Sequence, residues 1–145
     1  MNSVDIQEYQ QNRYPVFFLD EIKDLSIGKF VKGVKNFSYN EWFFQNKTNL
    51  VVPSVIIGEV MEQTYLMTFL TLSEYKGKKT STVSISVEFF RDVKCGETLE
   101  VIANLLINSR GLTHGTTSAF VCGEIVAKAE FTVVIPSITM TFKPK

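Results

Sequence analysis

From Val55 to Leu72 the chain is apolar with few interruptions: Val55, Ile56, Ile57, Val60, Met61, Leu66, Met67, Phe69, Leu70 and Leu72 carry the run, Gly58 is its one glycine, and it has no proline. Pro53 stands just before it, where proline suits the first turn of a helix, and Ser54 beside it is a capping residue type. The spacing predicts a helix that opens at Pro53 and continues to Leu72. Its apolar positions fall nearly all round the cylinder, so the helix is expected to be buried on most sides. Glu59, Glu62 and Gln63 interrupt the run and argue against a membrane span.

After the helix the period changes to two. Val83, Ile85, Val87 and Phe89 alternate with Ser84, Ser86 and Glu88, as in a half-buried strand. Leu99, Val101, Ala103, Leu105 and Ile107 alternate again. Residues 116–121 and 125–135 read as two further strands joined by a tight turn at Cys122-Gly123-Glu124. Turns also fall at residues 75–79, at Lys94-Cys95-Gly96-Glu97 and at Ser109-Arg110-Gly111, and Pro136 ends the last strand. Ahead of the helix, residues 30–37 read as a first strand, with Gly33 as a bulge or a point of close approach. The short apolar run 16–19 and the aromatic segment 39–45 have no clean period, and Asn46-Lys47-Thr48-Asn49 reads as a polar loop. One strand, a buried helix and four strands joined by short turns predict an α+β fold, an antiparallel meander with one face laid on the helix.

Composition fits that picture. At 145 residues the chain suits one domain, 1–145, with an ordered core expected from about residue 13 to residue 136. Twelve phenylalanines point to a thick core, an apolar cavity or both. Fifteen basic residues balance fifteen acidic ones, so no global field draws nucleic acid or an anionic membrane. Cys95 and Cys122 form no CxxC pair and no metal-ligand spacing, and read as free thiols. The polar segment 1–11 carries no signal-peptide core, which makes the cytoplasm the expected location.

Four segments in order resemble the (3R)-hydroxyacyl-acyl-carrier-protein dehydratases of the hot-dog fold. They are Arg13-Tyr14-Pro15 with Phe17-Phe18-Leu19-Asp20; Val34-Lys35-Asn36 with Asn40-Glu41 and Phe43-Phe44-Gln45; Pro53, Val55, Ile56, Ile57, Glu59, Met61 and Gln63; and Phe89, Arg91, Val93, Gly96 and Leu99 with Gly123-Glu124, Ala129-Glu130 and Ile135-Pro136. The resemblance implies a long central helix wrapped by an antiparallel sheet, and protomers that pair into one continuous sheet. It implies a site at that interface for an acyl chain carried by an acyl carrier protein, in fatty-acid or polyketide-type biosynthesis, with no metal and no cofactor. A loop histidine abstracts the α-proton, a helix carboxylate from the other protomer helps the β-hydroxyl leave, and amides at the helix start polarise the thioester carbonyl. Here Glu59 takes the place of the carboxylate and Ser54 and Val55 that of the amides.

The chain departs from the family where the histidine belongs. Residues 46–52 before Pro53 contain none, and Asn46, Lys47 and Asn49 are the candidates for the vacant position. Asparagine is no base, and Lys47 serves only if strongly desolvated. The single histidine, His114, reads as a surface or sheet residue. General-base catalysis is worth about 10²–10⁴-fold, so the isolated chain is expected to be a weak dehydratase at best. Three readings follow. The chain is one half of a heterodimeric dehydratase whose paralogue brings the histidine; or a thioester hydrolase that places water with Asn46, Asn49 and Glu59; or a non-catalytic acyl-chain binder. Homodimer, heterodimer and trimer of dimers all remain open at this stage. Phe43, Phe44, Met61, Met67 and Phe69 are candidates for tunnel lining, and Lys76, Lys78, Lys79, Arg91 and Lys94 for a basic rim that docks an acidic carrier protein.

Overall fold

The computed structural model describes residues 1–44 and 50–139. The expected helix, α2 here, spans Ser54–Leu70, and twelve of its 17 residues are buried. Burial all round demands that its polar side chains find partners inside, and they do. Thr64, Thr68 and Thr71 donate to backbone carbonyls of α2, those of Val60, Tyr65 and Met67. Among the described residues no helix is long and apolar enough to cross a membrane.

One antiparallel sheet holds six strands: β1 (Glu21–Ser26), β2 (Phe30–Asn36), β3 (Ser81–Phe89), β4 (Thr98–Ser109), β5 (Leu112–Val121) and β6 (Glu124–Val134). Their order is β1-β2-β4-β5-β6-β3, and its inner face covers α2. Three expectations are corrected. Two strands precede the helix, because β1 has only Ile22 and Leu25 as apolar residues and a bulge between Ile22 and Asp24 destroys its alternation. The meander is confined to β4, β5 and β6. β3 pairs with β6 on the far edge, because the chain after it does not turn back but passes the start of α2, where Val52 N bonds Val93 O and Cys95 N bonds Leu50 O. Nor is β3 half-buried: Val83 and Ile85 keep 63% and 51% of their surface exposed, since no described residue covers this edge.

The β4–β5 and β5–β6 hairpins turn on two residues each, Arg110-Gly111 and Cys122-Gly123, all four with positive φ. That is the geometry whose twist matches paired strands, and it starts β5 at Leu112 rather than at residue 116. Order also begins earlier than expected. A short helix, α1 (Ser3–Ile6), is capped reciprocally by Asn2 and Asp5, and Ile6 is fully buried. Gly33 is indeed a close-approach point, because a Cβ there would sit 2.8 Å from both Leu19 Cδ2 and Thr64 Oγ1.

At the centre Tyr65 stacks on Phe131, with ring centroids 5.4 Å apart. Its hydroxyl donates to Thr113 Oγ1, which donates to Val133 O. Burial pushes the Tyr65 phenol up to about 12, against the smaller opposing effect of the Thr113 bond. Thr113→Val should therefore cost about 1–3 kcal/mol, because it strands a buried hydroxyl, and urea unfolding measures this. With the folded value raised, the Tyr65 contribution to stability is whole below pH ~10 and is lost as pH rises toward 12. Tyr65→Phe should flatten that alkaline decline.

Candidate functional site

Pro53 is the N-cap of α2 and gives it no side-chain cap; Ser54, expected to help, is exposed, and among the described residues no side chain caps the first-turn amides. The amides of Ser54 and Val55 lie before the first intrahelical bonds, which run from Ile56 and Ile57 to Pro53 O. The ladder between residues 50–52 and 93–95 fixes where the helix points. A cavity of about 450 Å³ surrounds this start, walled by Pro53, Ser54, Ile57, Phe89 and Arg91 among others.

One turn into the helix, Glu59 enters a second cavity of about 260 Å³ between α2 and β3. Ile85, Val87 and Phe89 form its strand wall, and Val55 and Gly58 lie beside Glu59 on the helix wall. Glu59 is half-buried, and its carboxyl is pushed above the usual range, first by desolvation, then by the charge of Glu62; a hydrogen bond from Gln63 opposes the shift. Gln63 fixes more than Glu59. Its Oε1 accepts from Phe18 N at 2.9 Å and its Nε2 donates to Val16 O at 2.7 Å, so the unpatterned segment 16–18 is sewn to the helix.

The loop predicted to hold the missing base falls outside the described residues, and with it Asn46, Lys47 and Asn49. Its approach is firmly seated. Lys35 Nζ, buried, lies 2.6 Å from Glu41 Oε1 and 3.6 Å from Asp20 Oδ1. Trp42 Nε1 donates to Pro15 O at 2.9 Å, and Phe43 meets Phe18, Phe37, Trp42 and Phe44 edge-on. His114 lies on β5 with Nδ1 2.9 Å from Thr132 Oγ1. Its neighbours Thr113 and Gly115 are buried toward the core, so the imidazole faces away from α2 and from Glu59.

The five residues expected to line a tunnel are not gathered in one place. Phe43 and Phe44 belong to the aromatic cluster, Phe69 packs on Tyr65 and Tyr75, and Met67 joins Ile6, Leu19, Ile22 and Val31 in a separate cluster. Met61 is fully buried, and none of the five lines the Glu59 cavity. The apolar wall comes instead from alternate positions of β3, which become visible only once that strand is known to be an edge. The basic residues divide as well. Lys76, Lys78 and Lys79 follow the C-terminal end of α2, whereas Arg91 lines the cavity at its start. They stand about 25 Å apart along a helix of this length. Arg91 is engaged by Glu97 at 3.3 Å and Glu124 at 3.4 Å, and Lys76 by Glu8 at 3.6 Å. Lys78 is half-buried, and Lys79 and Lys94 are exposed.

A sequence model of the FabA-like domain matches residues 11–130. The chain belongs to the FabA-like dehydratase family. This FabA-like chain is 35% identical over 133 residues to the 3-hydroxyacyl-[acyl-carrier-protein] dehydratase FabZ of Acetivibrio thermocellus, covering 90% of itself and 91% of that relative. It is 35% identical over 138 residues to FabZ of Latilactobacillus sakei, covering 93% and 99%. Among solved structures, the dehydratase heterocomplex ApeI:P from Xenorhabdus doucetiae superposes with a TM-score of 0.78 at 13% identity, over 94% of this chain and 95% of that one. A putative thioesterase from Ralstonia eutropha gives 0.65 at 20% identity, over 79% and 83%. Both share the fold, a single helix in the curve of an antiparallel sheet, which is the hot-dog architecture.

The raised carboxyl of Glu59 makes a prediction about stability. Its contribution is whole below the unfolded value near pH ~4 and is lost as pH rises through the higher folded value. Glu59→Gln should therefore be the more stable protein at pH 7, and the difference should close as pH falls below about 4. Thermal unfolding across that range measures it.

Proposed function

We propose that this FabA-like chain binds acyl thioesters carried by an acyl carrier protein and supplies Glu59 as the acid of a dehydratase site whose base comes from a paired, histidine-bearing paralogue. One observation carries the reading: a half-buried carboxyl with a raised pKa stands in an apolar-walled cavity beside the open edge of β3. In dehydration a base takes the α-proton, the C–H electron pair becomes the C=C bond, the C–O bond breaks, and an acid protonates the departing β-hydroxyl. A carboxyl whose pKa is raised by burial suits the last step. The uncapped amides of Ser54 and Val55 suit polarisation of the thioester carbonyl.

The missing base is the reason to look for a second chain. The chain's only histidine faces the other side of the sheet, so a homodimer would double Glu59 without adding an imidazole. β3 offers the route for pairing. It is an unpaired edge bearing Val83, Ile85 and Phe89 with 42–63% of their surface exposed. A strand added there continues the sheet and closes the Glu59 cavity. The likeness in fold to a structure described as a dehydratase heterocomplex is in keeping with such pairing.

Hydration of a crotonyl thioester, the reverse reaction, tests the proposal. The chain alone should be slower by roughly 10²–10⁴-fold than a complete site, and the histidine-bearing partner should restore the rate. Glu59→Gln in this chain should abolish the restored rate. A normal rate from the pure homodimer would overturn the reading, and release of free thiol without hydration would replace it with thioester hydrolysis. Pairing itself is checked by light scattering. Ile85→Lys puts a charge at the centre of the open edge and should leave monomers in place of the wild-type assembly.

A further inference from the structure

Glu62 has so far served only as a neighbour. It follows Glu59 by three residues, so both side chains leave α2 on one face, and both line the cavity between α2 and β3. Its Oε1 accepts a hydrogen bond from the hydroxyl of Thr82, on β3. The carboxylate is thereby tethered across the cavity, from the helix to the edge strand. A hydroxyl donor of this kind suits a carboxylate, which can only accept.

The surroundings leave Glu62 as the charge that Glu59 meets. On β3 the facing side chains are Ile85, Val87, Phe89 and the neutral Thr82. On α2 they are Ser54, Val55 and Gly58, and Gln63 gives Glu59 a neutral hydrogen bond. The segment 16–18 meets this part of the helix through the Gln63 amide. Among the described residues neither acid forms an ion pair with a lysine or arginine. Two carboxylates one turn apart, in a partly desolvated cavity whose described lining holds no cation, do not both ionise easily. The proton that one of them keeps belongs on the acid that lacks the hydroxyl donor.

We propose that Glu62, held by Thr82, is a positioning residue that keeps the exchangeable proton on Glu59. The placement of the proton stands on this geometry alone; its use to protonate a leaving hydroxyl rests on the function proposed above. Charge from Glu62 is the second cause that raises Glu59, after burial, in agreement with this assignment. The arrangement divides labour by environment. A strand holds one acid beside the other, and that nearness favours the proton on Glu59.

The test is a carbon-13 NMR titration of glutamate side-chain carboxyls in the full chain, with the Glu59 signal assigned by its loss in Glu59→Gln. Glu62→Gln is close in shape and removes only the charge; it should move the Glu59 midpoint to lower pH. Glu62→Asp keeps the charge and should restore most of the wild-type midpoint. Thr82→Val frees Glu62 to turn toward water and should move Glu59 in the same direction as Glu62→Gln. A purely structural role for Glu62 would not distinguish Gln from Asp in this way. If the Glu59 midpoint is unmoved in both Glu62→Gln and Thr82→Val, the inference is wrong. Enoyl-thioester hydration by the paired enzyme separates the two proposals. A complex with no hydratase activity but the expected NMR shifts would sink the proposed function alone. An active complex whose alkaline limb stays in place in Glu62→Gln would sink the proton assignment alone.

Discussion

A helix that is apolar on nearly every side imposes the architecture. α2 cannot rest on a flat sheet, because half of its surface would stay wet; the sheet has to curl around it. The threonines within α2 bond back to its own backbone, and the Tyr65 hydroxyl reaches Thr113, so the polar atoms carried inside cost little. What one chain cannot do is finish the enclosure. The strip from Ser54 to Glu62 stays open beside β3, and the acid lies in that strip. In the proposed function, site and assembly surface are two descriptions of the same incomplete burial.

Much of this was legible in the chain because it is local. The helix announces itself through continuous apolarity, and β4 and β6 through their alternation. Glu59 stands out because an acid in such a run needs a reason. Strand order was not legible, since it depends on where the segment after β3 goes. That is decided by backbone bonds between residues 50–52 and 93–95, which leave no mark in side-chain pattern. β3 therefore read as half-buried when its apolar side is exposed. Glu62 read as a mere interruption of an apolar run, because its partner Thr82 is brought near only by that unforeseen strand placement.

The tunnel residues show the opposite failure. Phe43, Met61, Met67 and Phe69 are as greasy as a tunnel lining needs to be, but greasiness alone does not say which space a side chain fills. Here they fill the protein's own core. Val55, Ile85, Val87 and Phe89 wall the cavity because they sit where the core runs out of chain. The sequence singled out Glu59 but not the residues around it, which are non-local.

The two margins of the sheet are treated differently. At β1, Met1 and Asn2 bond the backbone of Glu21 and Ile22, and the bulge after Ile22 disturbs what is left of that border. At β3 no described residue intervenes. A sheet with a single receptive border can be extended once: were a second copy or paralogue to offer its own β3 in return, both ribbons would be used up. Pairing of that kind would join molecules in twos across this border, instead of threading them into an endless fibre.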